Sequence, residues 1–528
     1  MRFTSFTKVL CVLTSLPGAA NCYAAQQTAD DVAPVPPKSD RYFAVQVVDD
    51  ATGRGVPLVE LRTTSNVSYY TDSNGVVALD EPQYNGRAVF FHVRSHGYEF
   101  PRDGFGQAGT RLDVTPGGRA TLKVRRLNVA ERLYRVTGEG IYRDSVLAGG
   151  FPVPVKQPLL NGEVVGQDTV QAEIYRGRIH WLWGDTNRLR YPLGLYATSG
   201  ATSDLPGKGG LDPSLGVNLE YFVDGEGFSR GMFETEGGVL KWAEAMMLLL
   251  DGNGEERLYC VVTRLRKLND VINRTLCVFD DSSQRYEPVS TFKSHELYPR
   301  GHPLLVEREG TRYYYFGKPI PDIRVKADLK SVLDSAAYET YTCLPAGGTF
   351  DGKSTKLDRD AAGRLVWGWK RGADVISLER QGQLVKAGLL KPEEARLRLV
   401  DVETKKPVHP QSGSVYYNAY RNRYVMIFAE LFGTTSVLGE VWYAEAEKPE
   451  GPWKWARRIV THDRYSFYNP KHHPFFDQDG GRVIYFEGTY TAAFSRSEKD
   501  EGPTPRYDYN QVMYRLDLSD PRLRPVAE

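Results

Sequence analysis

The sequence predicts an all-β chain in two parts: an N-terminal β-sandwich, then a larger radial array of hairpins with a short helical insertion. Three observations predict it. Strand–turn–strand units recur along the second part, each alternating apolar and polar residues around a tight turn. The 51 Gly, 32 Tyr and 8 Trp among 528 residues suit many short strands and turns. A helical pattern stands out over 377–401, where six leucines punctuate the stretch and Pro392-Glu-Glu-Ala supplies a helix start. The chain is longer than one ordinary domain. At 41% hydrophobic, 25% charged and formal charge +1, it is globular, and nothing points to nucleic acid or an anionic membrane as partner.

Residues 1–24 read as a secretory signal, which predicts a secreted or periplasmic protein. Arg2 and Lys8 flank the start, residues 9–16 form a short apolar core, and Cys22-Tyr23-Ala24 is a small-x-small cleavage site. The apolar run is too short to span a bilayer, and no other stretch reads as a span. Asn21 is bulkier than the residue expected before a lipidated Cys22. Loss of the leader's two cations takes the formal charge from +1 to −1. The Pro-rich, polar residues 25–40 read as an extended linker. Cys260, Cys277 and Cys343 remain. Without a Cys-x-x-Cys pair a thiolate zinc site is not expected. Cys260 and Cys277 fall in neighbouring predicted strands, open to pairing, though buried thiols are the commoner outcome.

Residues 41–127 supply the sandwich. Tyr42-Phe-Ala-Val-Gln-Val-Val-Asp-Asp alternates into a Thr52-Gly53 turn, and Thr71-Asp-Ser-Asn-Gly75 is a second turn signal. Strands follow at residues 88–95 and 119–126. The pattern Val48-Asp-Asp-Ala-Thr-Gly-Arg-Gly-Val-Pro, then Tyr70-Thr-Asp-Ser-Asn-Gly-Val-Val, resembles the carboxypeptidase-regulatory-like, transthyretin-like sandwich. That resemblance implies an accessory domain, and the stretch carries no catalytic constellation.

Residues 128–528 carry the array. In 166–187, Val170, Ala172 and Ile174 alternate, Arg176-Gly177 turns, and Ile179, Trp181 and Trp183 alternate again. Antiparallel pairing puts the start of one strand beside the end of the next, so Asp168 and Asp185 are expected at one edge. They are a candidate acid/base pair or, more commonly, two turn-capping carboxylates. Similar units open at Trp242, Gly301, Ser414 and Asn469, making five. The same rule places Asp168, Glu244, His302, Asn418 and the 469–473 run at strand starts. It places Asp185, Arg264, Lys318, Glu430 and Glu487 at second-strand ends, with Glu440 returning nearby. Carboxylates, a histidine and cations on one rim suit a polar glycan pocket. His472-His473 face opposite ways along a strand, which disfavours a metal pair.

Gln167-Asp168-Thr-Val, Trp242-Ala-Glu244 and Glu440-Val-Trp-Tyr-Ala-Glu-Ala-Glu-Lys-Pro-Glu-Gly-Pro-Trp453 resemble the five-bladed β-propeller clan of glycoside hydrolase families 43 and 62. The resemblance implies a five-bladed β-propeller over 128–528 that hydrolyses a polysaccharide or oligosaccharide with a carboxyl pair, by inversion. It makes Asp168 the candidate base, Glu244 a tuning group or acid, Glu430 or Glu440 the other candidate acid, and Asp185 a sugar ligand or member of the set. Trp183, Tyr417 and Tyr468 are candidate sugar platforms, and Asn187, His302, Lys318, Asn418 and Glu487 further substrate ligands. No cofactor is predicted. The propeller channel leaves room for a structural calcium ion. The sequence departs from the clan at Glu244, where an Asp is usual, and at Arg300-Gly-His302-Pro, where an acid would be expected. His302 beside Tyr298 and Arg300 also allows a polysaccharide lyase acting on uronates. A non-catalytic glycan-binding propeller is the third reading.

Overall fold

The computed structural model describes residues 34–195, 198–234, 237–495 and 502–524. The 1–24 leader and residues 25–33 of the linker lie outside them. Residues 34–39 are fastened where a free linker was expected. The carbonyls of Pro34 and Pro36 accept the N–H groups of Val153 (2.9 Å) and Gly150 (2.7 Å), and Ser39 donates to the Ala148 carbonyl at 2.9 Å.

Two four-stranded sheets come next. One has the strand order Val76–Leu79, Phe43–Asp49, Arg119–Arg126, Tyr98–Glu99; the other has Ser68–Tyr70, Glu60–Thr63, Arg87–Arg94, Gly109–Val114. Val45, Val47, Leu61, Phe91, Val93 and Val124 share one core between them. Arg119–Arg126 buries Leu122 and Val124 while its Arg and Lys side chains face outward, as a sheet wet on one face requires.

Beyond residue 130 the described residues form five larger sheets, antiparallel but for one outer strand of the fourth, beside one small three-stranded sheet, and each larger sheet is led by one strand: β1 (Gln171–Tyr175), β2 (Leu240–Leu250), β3 (Leu304–Arg308), β4 (Pro410–Asn418) and β5 (Ser466–His472). Within each sheet the following strands add outward in chain order. Two outer strands break that order: Leu397–Asp401 of the fourth sheet precedes its leading strand, and Glu131–Arg135 of the fifth comes from the beginning of the array and pairs with Asn510–Asp517. Each sheet packs on the next through an apolar core. Leu182 meets Met246 and Val262 between the first and second. Val261 meets Phe316 and Ile323 between the second and third. Tyr315 meets Met426 and Phe428 between the third and fourth, and Ile427 meets Phe467 and Ile484 between the fourth and fifth. Tyr485 and Met513 of the fifth then meet Trp181 of the first. The cores link the five sheets in a closed cycle.

The predicted helical stretch holds one α-helix, Leu378–Lys386, started by the Ser377 hydroxyl accepting the Arg380 N–H. The Pro392–Glu394 start makes a single 3-10 turn. Leu384 and Leu390 pack on Cys343 and Leu344. Leu397–Asp401 then runs parallel to Trp453–Thr461 as an outer strand of the fourth sheet. Cys260 and Cys277 stand opposite each other on paired strands as free buried thiols.

Candidate functional site

The leading strands share one local deviation at the same end. Thr169 (φ 47°), Ala245 (φ 55°), Gly301 (φ 66°) and Asn469 (φ 50°) are left-handed, and Gly413 lies at φ 155°. In β2, β4 and β5 the ladder register shifts beside them. Each left-handed or kinked residue directly follows one residue whose ladder pairing ends or shifts there. Those preceding residues are Asp168, Glu244, Arg300, Ser412 and Tyr468, one per sheet.

Asp168 and Asp185 meet as the hairpin predicts. Asp168 Oδ1 accepts the Asp185 N–H at 2.9 Å, and the Asp168 carbonyl accepts the Gly184 N–H at 2.8 Å. Tyr468 donates its hydroxyl to Asp168 Oδ2 at 2.9 Å, and the Tyr509 hydroxyl also bonds this carboxyl. Burial first, then the charge of Asp185, pushes Asp168 up to about 7, against the pull of the two phenols. Asp185 is also raised by burial, and takes a hydrogen bond from Trp242 Nε1 at 3.2 Å. Asn469 Nδ2 donates to Thr169 Oγ1 at 2.7 Å, tying β5 to the base of β1.

Glu244 lies two residues beyond Trp242 on β2, and i and i+2 share a face. Its Oε2 accepts the Gly301 N–H at 3.0 Å and forms an ion pair with Lys318 Nζ at 2.8 Å, with the lysine side chain 54% exposed. Arg300 is held by Asp322 at 2.6 Å. His302 follows. Burial, then the charges of Lys471 and Lys318, holds its imidazole well below the usual range and neutral, and its Nδ1 is buried without a partner.

Glu430 and Glu440 form a separate pair on the fourth sheet. Burial and the neighbouring carboxyl push Glu430 up to about 8, and Trp442 Nε1 donates to it at 2.9 Å. Burial would raise Glu440 too, but Thr435, Glu430 and Arg458 hold it below the usual range. The pair therefore keeps one proton, on Glu430. Among the described residues no hydrogen bond or ion pair joins it to Asp168 or Glu244.

Several expected rim residues lie elsewhere. β4 begins at Pro410, which pairs with Glu430, while Asn418 pairs with Arg423. Tyr417 and Asn418 are thus at the opposite end, where Tyr417 bonds Asn422 and Asn418 bonds the Gly481 carbonyl. The Arg421-Asn422 turn follows directly, so the strand was entered from its far end. Glu487 sits in mid-strand because Val483–Thr491 runs further than expected. It is wholly buried against His473 Nε2 at 2.9 Å. Trp183 is 1% exposed, stacked on Trp181 in the core. Asn187 lies opposite Gly166 in a small sheet of Val164–Gln167, Thr186–Arg188 and Tyr191–Leu195. Tyr468 is buried and acts through its hydroxyl, not its face. Tyr509 and Trp242 were missed as site residues, while Arg300 was singled out only as a neighbour of His302. Only the Trp-Ala-Glu motif gave a signal, for Trp242.

The residues on the ring axis do not fit a calcium ion. Lys471 on β5 is 3% exposed and donates to Tyr416 of β4 at 3.0 Å. Its charge is felt by Glu173 of β1, His302 beside β3 and Glu487, so an ammonium already occupies this position. Among the described residues no group of three or more His, Cys, Asp and Glu could hold a metal. A cavity of about 510 Å³ beside Tyr443, Trp455 and Arg457 opens on the outer strands of the fourth sheet. It contains none of the rim carboxyls, so size does not mark the site.

No family model matches the chain, and no curated protein matches it. Among solved structures, a candidate hydrolase from Bacteroides ovatus ATCC 8483 is similar at 13% identity and TM-score 0.43, covering 69% of this chain and 89% of the other. An exo-1,5-alpha-L-arabinanase from a bovine ruminal metagenomic library gives 9% and 0.32, covering 67% and 94%. Bacillus subtilis arabinanase Arb43A gives 11% and 0.32, covering 67% and 95%. At these TM-scores the matches carry no argument about what this chain does.

Proposed function

We propose that the chain is an exported glycoside hydrolase: a carboxypeptidase-regulatory-like sandwich (41–127) followed directly by a five-bladed β-propeller (128–528) that cleaves a polysaccharide or oligosaccharide at its rim. The closed cycle of five inter-sheet cores supports the propeller, and the leader-like residues 1–24 support export. One observation carries the chemistry. Two carboxyls have opposite environments: Asp168, beside the Asp185 to which Trp242 donates, is pushed up to about 7 by burial and by Asp185, while Glu244 is ion-paired with Lys318. Glycoside hydrolysis needs such a pair, one carboxyl protonated and one ionised. This reading makes Asp168 the general acid, protonating the leaving oxygen, and Glu244 the base or nucleophile. That reverses the roles the clan resemblance implies. Tyr468 and Tyr509 fix the Asp168 carboxyl, and Asp185 raises its proton affinity.

The test is reducing-sugar release from plant, algal and bacterial polysaccharides by the wild type, Asp168→Asn and Glu244→Gln. Loss of a general acid or base costs about 10²- to 10⁴-fold, so both variants should be silent. With Asp168 as acid, activity falls as pH rises through about 7; a rise through the same pH would return it to the base role. A second reading rests on His302, a neutral imidazole with an unpartnered Nδ1 beside cations, which suits a lyase base. Unsaturated, ultraviolet-absorbing products that survive Asp168→Asn would favour it.

A further inference from the structure

The rim is not evenly charged. The first sheet contributes the two carboxyls Asp168 and Asp185. At the junction of the second and third sheets the balance is cationic. Arg300 takes the position before the third kink, and Asp322 matches its charge. Glu244 matches Lys318, whose side chain remains 54% exposed. Arg274 has no such match. It shares a cross-strand row with Trp242 through Thr263, and residues in one row point to one face. Its guanidinium carbon stands over the Tyr298 ring, 4.5 Å from the centroid, and its Nε is buried without a partner. No ion pair reaches it among the described residues. Tyr298 in turn lies close enough to bear on Arg300, as does Glu244. Three cations thus face two carboxylates beside the proposed reacting group, and the surplus charge is a guanidinium over a ring with its N–H edge free. A planar fork of this kind binds a planar carboxylate through two parallel hydrogen bonds.

Resting on the glycan-cleaving reading of this rim, we propose that the substrate is an acidic glycan, and that Arg274 and Lys318 receive the carboxylate of a uronic acid residue next to the scissile bond. Lys318 then serves twice: its ammonium pairs with Glu244 and its exposed side meets the substrate. Arg274 fixes the plane of the uronate.

The experiment compares a polygalacturonate or glucuronate-bearing glycan, its methyl ester, a neutral galactan and a sulfated galactan. Release by the wild type and by Arg274→Gln is measured, and retention by Asp168→Asn in affinity gels containing each glycan is measured at low and high salt. The expected result is release from the free acid and about tenfold less from the ester, as loss of a charged hydrogen bond implies. Arg274→Gln should raise KM on the acid about tenfold and leave the ester's KM unchanged, with Arg274→Lys between the two. Thermal midpoints of the variants confirm that they are folded. Equal release from acid and ester, preferred release from neutral or sulfated galactan, or a Gln variant that weakens acid and ester alike overturns the assignment while leaving a hydrolase. Salt-sensitive retention of the acid without release from any glycan keeps the assignment and removes the hydrolase. Neither retention nor release of the acid removes both.

Discussion

At the scale of single residues, the site depends on how closely Asp168 is confined. Its Oδ1 lies where a side chain on Gly184 would be: an added Cβ would stand 2.2 Å from it. Gly184→Ala must therefore push the carboxyl off the Asp185 N–H and the Tyr468 hydroxyl. A displacement of about 1 Å in a reacting group costs about a hundredfold. The expected outcome is a kcat lower by about that factor with an unchanged thermal midpoint, read by steady-state kinetics beside a melting curve. Asp168 and Asp185 were legible in the sequence because 17 residues of hairpin join them, and hairpin geometry is local. Tyr468, Tyr509 and Lys318 reach their partners from remote parts of the chain, 300 residues away for Tyr468. Period-two patterns name which residues share a face of one sheet. They do not say which sheets are neighbours.

At the scale of elements, the leading strands owe their function to irregularity. Their alternation and their turns are legible in the sequence, but the left-handed residue before or within the strand is not. Asn469 and Gly301 belong to types that tolerate it, whereas Thr169 and Ala245 do not advertise it. The strand start of β4 was misplaced for a related reason: Gly413 and the register shift after Pro410 interrupt the alternation, so the clean part of the pattern begins at Ser414. Gly301 shows what the kink does. At φ 66° it turns its N–H onto Glu244, and an added Cβ would meet the Gly317 carbonyl oxygen at 2.1 Å. Gly301→Ala combines a left-handed penalty of about 1–2 kcal/mol with that clash. Denaturant unfolding should show a loss of at least about 2 kcal/mol, and Glu244 should lose its backbone donor and much of the activity with it.

At the scale of the whole molecule, buried titratable groups shape stability. Burial pushes Asp72 and Asp168 up to about 7 and Glu430 and Glu487 up to about 8. Raised carboxyls bind protons more tightly folded than unfolded, so their contribution is complete below about pH 4 and is lost as pH rises through 7 to 8. The buried histidines act oppositely. His180 and His462 fall to about 4 and about 3, and His96, His302 and His473 fall well below the usual range. Their contribution is complete above about pH 6.5 and is lost as pH falls. Above pH 6.5 the histidines no longer change, so the carboxyls should make the thermal midpoint decline from pH 6.5 to 8. Glu487→Gln, which keeps a hydrogen bond to His473 without a charge to bury, should make that decline shallower. A midpoint that rises over this range would mean the buried carboxyls are already ionised in the native state. The fifth sheet carries a last consequence. Its outer strand, Glu131–Arg135, is made well before its partner, Asn510–Asp517. During synthesis the first of the two strands has an open edge and must wait for nearly four hundred residues to follow it. A chain cut short anywhere in between cannot close, and its unpaired edges and bare cores make it a target for chaperones and proteases. The seam therefore works as a proofreading step, because only a chain that includes Asn510–Asp517 can shut.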